Sequence, residues 1–252
     1  MPTSSFSHTL RSTAAWTTGL LMLGTASAQT AAEESWRVQL TPYVWMTGLE
    51  GHIRPVEGAP TAHVDNSFSD VLQNLDAAFF LTGTARKGRL VLQGDFSYAS
   101  TSDSASLPLG LSAHAKVRQT SATLTGGYNW PLTPSSSVDL MAGMRLWDIK
   151  AHVRVPGLAA TQSTTHFVDP IVAARWRQDW AAQWSTLVYL DVGGFGMGSD
   201  STWQAVGAVN YQWSENLFFS LGYRHLHVNY RDDGKRLDFN QSGPMLGATL
   251  KF

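Results

Sequence analysis

The sequence contains no cysteine, which excludes both a disulfide framework and a lipid anchor attached through a thiol. Charged residues make up only 15% of the chain, and 18 basic residues nearly balance 19 acidic ones. This balance excludes the basic surface typical of proteins that bind nucleic acid. No apolar run beyond the N-terminal region has the length of a membrane-spanning helix, so we expect none in the mature chain.

The N-terminal region has the composition of an export signal. A weakly basic start precedes an apolar run from Ala14 to Gly24, and Ala26-Ser27-Ala28 matches the small-residue pattern of a cleavage site. We therefore expect residues 1–28 to be a signal peptide. The remaining residues, 29–252, would then form a single exported domain that begins at Gln29.

Instead of long apolar runs, the sequence has alternation, and its last ten residues show it best. In Gly243 to Phe252, the apolar side chains of Leu246, Ala248, Leu250 and Phe252 share one face of an extended strand. A strand in a barrel wall within lipid needs apolar residues outward and polar or small residues inward. The ending also resembles the C-terminal assembly signal of bacterial outer-membrane β-barrels, which implies recognition of these four residues by the insertion machinery.

The same alternation predicts an all-β fold, an antiparallel transmembrane β-barrel of about ten strands, an even number as single-chain bacterial barrels need. The predicted strands are Trp36–Leu49, Ala77–Arg86, Arg89–Ala99, Lys116–Asn129, Val138–Ala151, His166–Gln178, Trp184–Gly193, Thr202–Trp213, Leu217–Tyr230 and Gly243–Phe252. The short connections are expected at the periplasmic end. Long polar loops are expected at the extracellular end, at Thr101–Ala115, His152–Thr165 and Arg231–Ser242.

Tryptophan gives a second indication, because this residue prefers the membrane interface. Three tryptophans, Trp45, Trp147 and Trp203, fall toward the upper strand ends. The others of the mature chain fall at the lower ends, namely Trp36, Trp130, Trp176, Trp180, Trp184 and Trp213. Both groups are therefore expected to border the hydrocarbon.

One segment has helical rather than strand periodicity. Phe68, Val71 and Leu72 recur at helical spacing, and Ser67 with Asp70 has the spacing of a capping box. The pattern predicts a short helix from residue 67 to residue 75 in the first extracellular loop, after a small hairpin between residues 51 and 65. The helix could plug the barrel mouth or cap the loop's own small core. We favour the plug, because an apolar face needs a dry environment.

Charged residues on the predicted inward faces are the main candidates for a functional site. These eleven residues are Arg37, Arg86, Arg89, Asp95, Asp139, Arg145, Asp169, Arg175, Arg177, Asp191 and Arg224. Buried charges must be paired, and arginine suits bidentate pairing with aspartate, which favours a salt-bridged barrel interior. The alternative is a path for ions or small solutes with a basic bias, which would give a weak preference for anions.

Histidines allow an enzyme hypothesis. His225 and His227 alternate on the upper half of one strand, and His166, Ser199 and Asp200 fall near the same rim. Their spacing is not diagnostic of a catalytic or metal site. We therefore assign no catalytic residue, no metal and no cofactor.

The glycine-rich run GGFGMGSD superficially looks like a phosphate-binding loop. It lacks the Lys-Ser/Thr ending and no helix follows it, so a tight extracellular turn explains the glycines better.

From Trp36 to Phe252, the chain resembles a poorly characterised family of proteobacterial outer-membrane β-barrel proteins. The resemblance is carried by YVWMTGLEG, FSDVLQNLD followed by ARKGR, VDP, DVGGFGMGSD, GYRHLHVNY and SGPMLGATLKF. It implies a barrel in the outer membrane of a Gram-negative bacterium. It implies no catalytic or ligand-binding set.

Together these patterns predict an integral outer-membrane barrel with a charged, narrow lumen, either structural or a slow passive channel for small solutes. The first alternative is a surface enzyme that modifies lipid or peptide at the extracellular rim, and the second is a soluble secreted β-sandwich. The expected partners are outer-membrane lipid, lipopolysaccharide and, during biogenesis, the barrel-assembly machinery. We expect a monomer and no nucleic-acid partner.

Overall fold

The structure, a computed structural model, describes residues 35–54, 61–106, 112–155, 159–232 and 234–252. The signal peptide expected at residues 1–28 lies outside these ranges. Within the described ranges, no helix is long and apolar enough to cross a membrane.

Twelve strands and one short helix make up the described chain. In chain order they are β1 (Arg37–Trp45), β2 (Gly48–Arg54), β3 (Ala62–Asn66), α1 (Phe68–Gln73), β4 (Leu75–Lys87), β5 (Leu90–Ser106), β6 (Ser112–Thr133), β7 (Ser136–Val155), β8 (Ala159–Ala181), β9 (Trp184–Gly193), β10 (Ser201–Gln212), β11 (Leu217–Asp232) and β12 (Lys235–Lys251). Strands β1 and β4 to β12 close into an antiparallel barrel, because β1 pairs with β4 on one side and β12 on the other. The predicted ten-stranded barrel is confirmed.

We call lower the end of the barrel that carries the short turns and Phe252, and upper the opposite end. The N-terminal hairpin extends the wall above the closed ring. A break at Met46 and Thr47 divides the predicted first strand into β1 and β2. The last strand pairs with β1 along its lower part and with β2 along its upper part, and β3 adds to the far side of β2. The predicted hairpin is therefore present, but one of its strands belongs to the wall.

Side-chain polarity in the lower wall follows the pattern expected for lipid. On β11, Phe219 and Leu221 point outward and are exposed, whereas Ser220 and Arg224 point into the interior. Apolar residues outward with polar residues inward is the arrangement of a strand that crosses hydrocarbon.

The polarity inverts in the upper wall while the alternation of faces continues. Further along β11, His225 and His227 point outward, and Leu226, Val228 and Tyr230 are buried inside. On the outward face, the uppermost apolar residues of paired strands lie opposite each other, and so do the polar residues that follow them. Leu146 on β7 is opposite Val168 on β8, followed by Asp148 opposite His166; Tyr223 on β11 is opposite Pro244 on β12, followed by His225 opposite Ser242. The inversion therefore defines the upper edge of the apolar girdle.

Three predicted loops are instead strand for most of their length. The strand β5 continues to Ser106, and β6 begins at Ser112. Likewise, β7 continues to Val155 and β8 begins at Ala159, and β11 continues to Asp232 and β12 begins at Lys235. The loop predictions at Thr101–Ala115, His152–Thr165 and Arg231–Ser242 were wrong. The sequence there no longer places apolar residues on the outward face, because that face meets water rather than lipid.

An apolar cluster fills the upper interior. Its buried members are Tyr43, Trp45, Phe80, Trp147, Ile149, Phe167, Leu226, Val228, Tyr230, Leu237 and Phe239. The rings of Phe167 and Tyr230 stack with centroids 4.4 Å apart, above the shorter strands β9 and β10. Two tall parts of the wall, β5 to β8 and β11, β12 and β2, thus pack against each other. The prediction that Trp45 and Trp147 border the membrane was wrong, because both belong to this cluster.

The predicted helix is present, but it does not plug the barrel. Ser67 and Asp70 form the expected capping box at its N-terminus. None of its residues is buried, its contacts are with β2 and β3, and Phe68 and Leu72 remain exposed. The favoured plug interpretation was therefore wrong. The interior space that the helix would occupy is already filled by the apolar cluster.

Candidate functional site

The lowest buried ion pairs of the interior are centred on Asp139. Arg86 donates two hydrogen bonds to this carboxylate, at 3.0 and 2.6 Å, and Arg175 donates another from Nε at 2.8 Å. The amide of Asn129 adds a fourth donor at 2.6 Å. Asp139 is 2% exposed, and its charge is offset by two guanidinium groups. A carboxylate saturated in this way is fixed in place and is not free to act as a base.

A second ion pair lies higher in the interior. Arg145 donates to Asp191 at 2.6 Å, and its Nε donates to the hydroxyl of Thr123 at 2.9 Å. Both charged side chains are almost completely buried. Taking two charges out of water is costly, and their mutual attraction with good geometry offsets that cost.

The third pair joins β5 to β11 across the interior. Arg224 lies 3.1 Å from Asp95, and the hydroxyl of Tyr43 donates to the same carboxylate at 3.0 Å. The guanidinium of Arg224 also stacks on the ring of Trp45, with 4.6 Å from its central carbon to the ring centroid. This cation–π contact links the ion pairs to the apolar cluster above them.

Among the described residues, Asp169 forms no ion pair with an arginine, although Arg145 lies directly opposite it on β7. Its carboxylate accepts hydrogen bonds from the indole of Trp147 at 3.1 Å and from the backbone N–H of Ser199 at 2.6 Å. The second bond holds the turn between β9 and β10 against the interior. As the sequence predicts, glycines make this turn tight, since Gly194 has φ +86° and a Cβ there would lie 2.4 Å from the hydroxyl of Ser199.

The remaining three predicted lumen residues lie at the lower rim. Arg37 lines the lower mouth, and Arg89 is exposed in the turn between β4 and β5. Arg177 pairs with the exposed Asp179 at 3.0 Å. The structure therefore brings together eight of the eleven predicted residues in the interior and leaves these three in contact with solvent.

A cavity of about 170 Å³ opens toward the lower rim and is lined by Arg175 of the Asp139 cluster and by Asp95 and Arg224. Gln39, Thr84 and Arg177 line both this cavity and the depression at the rim, so the two are continuous. Upward, the cavity ends at Tyr43 and Arg224, where the apolar cluster begins. The interior is therefore accessible from the lower end only as far as the ion pairs.

The rim residues considered for catalysis do not converge. His225 and His227 face outward on β11, where Ser242 and Asn240 contact their rings at 2.6 and 2.9 Å. Ser199 is fully buried on the inside of the wall. The other two are also separated: His166 contacts Asp148, and Asp200 contacts Arg231.

In the residues that the structure describes, no group of three or more histidine, aspartate or glutamate side chains could hold a metal ion. Neither the enzyme hypothesis nor a metal site gains support from this geometry.

The sequence did not identify the neutral partners of the ion pairs. Tyr43, Thr84, Gln93 and Thr123 all donate to or accept from a buried charged group. The available signal was their position, since each is a polar residue on an inward face of a predicted strand. Their partners lie on other strands, so the pairing depends on register.

No protein-family model matches the chain, and no curated protein matches it. Solved structures do. The translocator domain of the autotransporter NalP from Neisseria meningitidis is 12% identical, with 89% of this chain and 92% of that chain covered and a TM-score of 0.50. The outer membrane protease OmpT from Escherichia coli is 8% identical, with 86% and 96% covered and a TM-score of 0.50. At such identities the likeness shows the fold alone, and that fold is the outer-membrane β-barrel.

Proposed function

We propose that the protein is an integral outer-membrane barrel with a structural role, whose interior is closed to solutes. One observation carries this proposal: the buried Arg145–Asp191 and Arg224–Asp95 pairs and the packed apolar cluster above them fill the barrel at the upper end of the cavity. A solute that entered from the periplasmic end would stop beneath them. Small barrels commonly fill their interiors with side chains in this way.

The burial of the side chains supports the closure. Arg145, Trp147 and Val228 are 1%, 2% and 0% exposed, respectively. Residues that line a water-filled pore would retain contact with water. Of the two roles that the sequence allowed, the geometry therefore favours the structural role over the slow channel.

Conductance across planar lipid bilayers tests the closure. The purified barrel should give no stable current steps. The double variant Trp147→Ala/Phe167→Ala removes two stacked rings of the seal, whose centroids are 5.8 Å apart, and should give measurable current. Leu140→Ala/Leu146→Ala, which changes two outward residues, serves as the control and should stay closed. Frequent, long-lived current steps from the unaltered protein would contradict the proposal.

The exposed apolar girdle supports a position within a membrane. Leu124, Leu140 and Leu221 on its outer face are 62%, 51% and 61% exposed, which would be unfavourable in water. We propose that this membrane is the outer membrane and that residues 1–28 are removed during export. Fractionation followed by N-terminal sequencing should find a chain that starts at Gln29. A chain that starts at Met1 would contradict the processing.

We also propose that the barrel-assembly machinery binds the outward face of β12 during assembly. Leu246, Leu250 and Phe252 are exposed on that face, where a partner could contact them before lipid covers them. The variant Phe252→Ser should reduce the amount of folded barrel in the outer membrane. Lys251→Ser alters the adjacent residue and should leave that amount unchanged. Equal loss in both variants would count against recognition of this face.

A further inference from the structure

The outer face of the wall formed by β6 and β7 carries a ladder of basic residues above the apolar girdle. Three successive outward pairs face each other directly across the two strands. They are His114 with Arg154, Lys116 with His152, and Arg118 with Lys150. We call these six residues the basic ladder.

The pair of Arg118 and Lys150 is unfavourable by itself, because like charges directly opposite each other in a sheet repel. Two carboxylates lie nearby: Asp76 contacts Lys116 at 2.8 Å, and Asp148 contacts Lys150 at 3.3 Å. The second carboxylate is shared with His166, at 3.0 Å.

Within the described chain, Arg118 and Arg154 form no ion pair. Four lysines and arginines thus face two aspartates, and the imbalance leaves positive charge directed away from the barrel.

The height of the ladder indicates what it meets. Below it, after Asp148, the outward face of β7 carries Leu146 and then Met144, which are 46% and 51% exposed and belong to the apolar girdle. Lys150 lies four positions above Leu146, which at about 3.3 Å per residue and a tilt of about 40° places it about 10 Å higher. That is the level of the lipid headgroups rather than of the acyl chains.

A concave surface accompanies the charge. A depression of about 240 Å³ is lined by Lys116, Arg118, Lys150 and His152, with the polar Gln162 at its side. A guanidinium group binds phosphate through two parallel hydrogen bonds, and a lysine ammonium adds a point charge.

We propose that the basic ladder binds the phosphate groups of lipopolysaccharide in the outer leaflet. This inference rests on the proposed location in the outer membrane. Bound phosphate would relieve the repulsion between Arg118 and Lys150, and the acyl chains of the same molecule would lie against the apolar girdle below. One lipid molecule therefore satisfies both parts of this face.

Binding of bisphosphorylated lipid A to the purified full-length barrel in neutral detergent tests the proposal. The variant Arg118→Gln/Lys150→Gln removes one facing pair of the ladder. Each cation near a lipid surface contributes about 1 kcal/mol, so affinity should fall about 30-fold. Lipid A without its phosphates should bind the unaltered protein and the variant equally weakly.

The opposite wall provides a matched control. Arg231 and Arg236 also face each other directly, on β11 and β12. Each has its own carboxylate, however, since Arg231 lies 3.4 Å from Asp200 and Arg236 lies 2.8 Å from Asp238. The variant Arg231→Gln/Arg236→Gln removes the same formal charge and should leave lipid A affinity within about twofold.

Equal loss of affinity in the ladder and control variants would overturn the proposal. Full displacement of lipid A by equimolar inorganic phosphate would also overturn it, because the ladder would then bind a free anion. Heat-modifiable migration on gels confirms that each variant is folded. Fractionation and conductance test the proposed function independently of lipid A binding, so failure of one proposal can be distinguished from failure of the other.

Discussion

The lower and upper halves of the barrel interior are filled by opposite chemistries on the same strands. The lower half contains arginine–aspartate pairs such as Arg86 with Asp139 and Arg145 with Asp191. The upper half contains stacked rings such as those of Trp147 and Phe167. The alternation of inward and outward residues along β7 continues without interruption from the lower half to the upper half.

The difference shows that the environment outside the wall sets the chemistry inside it. Where lipid covers the outer face, apolar residues are placed outward, and polar groups inside must satisfy one another. Above the lipid, water covers the outer face. The wall then behaves like a soluble sheet, which buries its apolar face. The two tall parts of the single wall consequently pack together above the girdle, as the two layers of a sandwich do.

The largest effect should follow from breaking a single buried ion pair. Arg145→Met leaves Asp191 buried without its cation and should lower the free energy of unfolding by about 3–5 kcal/mol. The double variant Arg145→Met/Asp191→Leu removes both charges and should recover most of that loss. Urea unfolding in lipid vesicles measures both. If the double variant is no more stable than the single one, the lower interior cannot be exchanged for an apolar core.

A cavity in the upper half should be costly for a different reason. Leu226→Ala removes a side chain that is 1% exposed and should cost about 2–5 kcal/mol through lost burial and the space left behind. Leu221→Ala on the same strand faces outward, where lipid can fill the space, and should cost less in the same unfolding experiment. Equal costs would indicate that the upper interior is loosely packed.

The outer face should distinguish the two halves directly. Leu221→Arg places a charge within the girdle and should cost about 2–4 kcal/mol, whereas His227→Arg, six residues further along the same face, should cost about 0–1 kcal/mol. Unfolding in vesicles compares the two variants. A similar cost at both positions would mean that the inversion of polarity does not mark the edge of the hydrocarbon.

The smallest effect concerns the exposed ion pair on the outer side of the upper wall. Hydrogen bonds from Lys116 and then Ser102 lower the pKa of Asp76 to about 2, from 3.8. Because this pKa is depressed, the contribution to stability is present above the pKa of the unfolded chain and is lost as the pH falls toward 2. Lys116→Ala should raise the pKa toward 3.8, as measured by carboxyl NMR titration. Lys150→Ala should leave it unchanged.

The sequence predicts the lower half of the fold well because lipid imposes a simple rule there. Alternation along Gly243 to Phe252 indicates correctly which face is apolar and outward, since Leu246, Leu250 and Phe252 are exposed there. The upper half follows the opposite rule. In RHLHVNY, from Arg224 to Tyr230, the apolar residues have moved to the inward positions, and this change was the available signal for strands that continue beyond the membrane.

The alternation of inward and outward positions along each strand identified the interior charged residues, but it did not identify their partners. Arg145 and Asp169 face each other across neighbouring strands, yet Arg145 pairs with Asp191, two strands away. A long guanidinium side chain reaches across the narrow interior, and sequence position alone does not specify that direction. Arg37 is the first residue of β1 and Arg89 lies in the turn before β5, so both lie at the solvent-exposed rim instead of in the interior.

The last strand meets only the first residues of the described chain on its free side. Thr41 and Thr249, whose hydroxyls lie 2.7 Å apart, are separated by 208 positions. Loop closure over such a distance is slow, and the open edges of an incomplete wall invite pairing with other chains. The ring can therefore seal only when β12 has reached β1, and until then both edges of the wall present backbone groups without a strand partner.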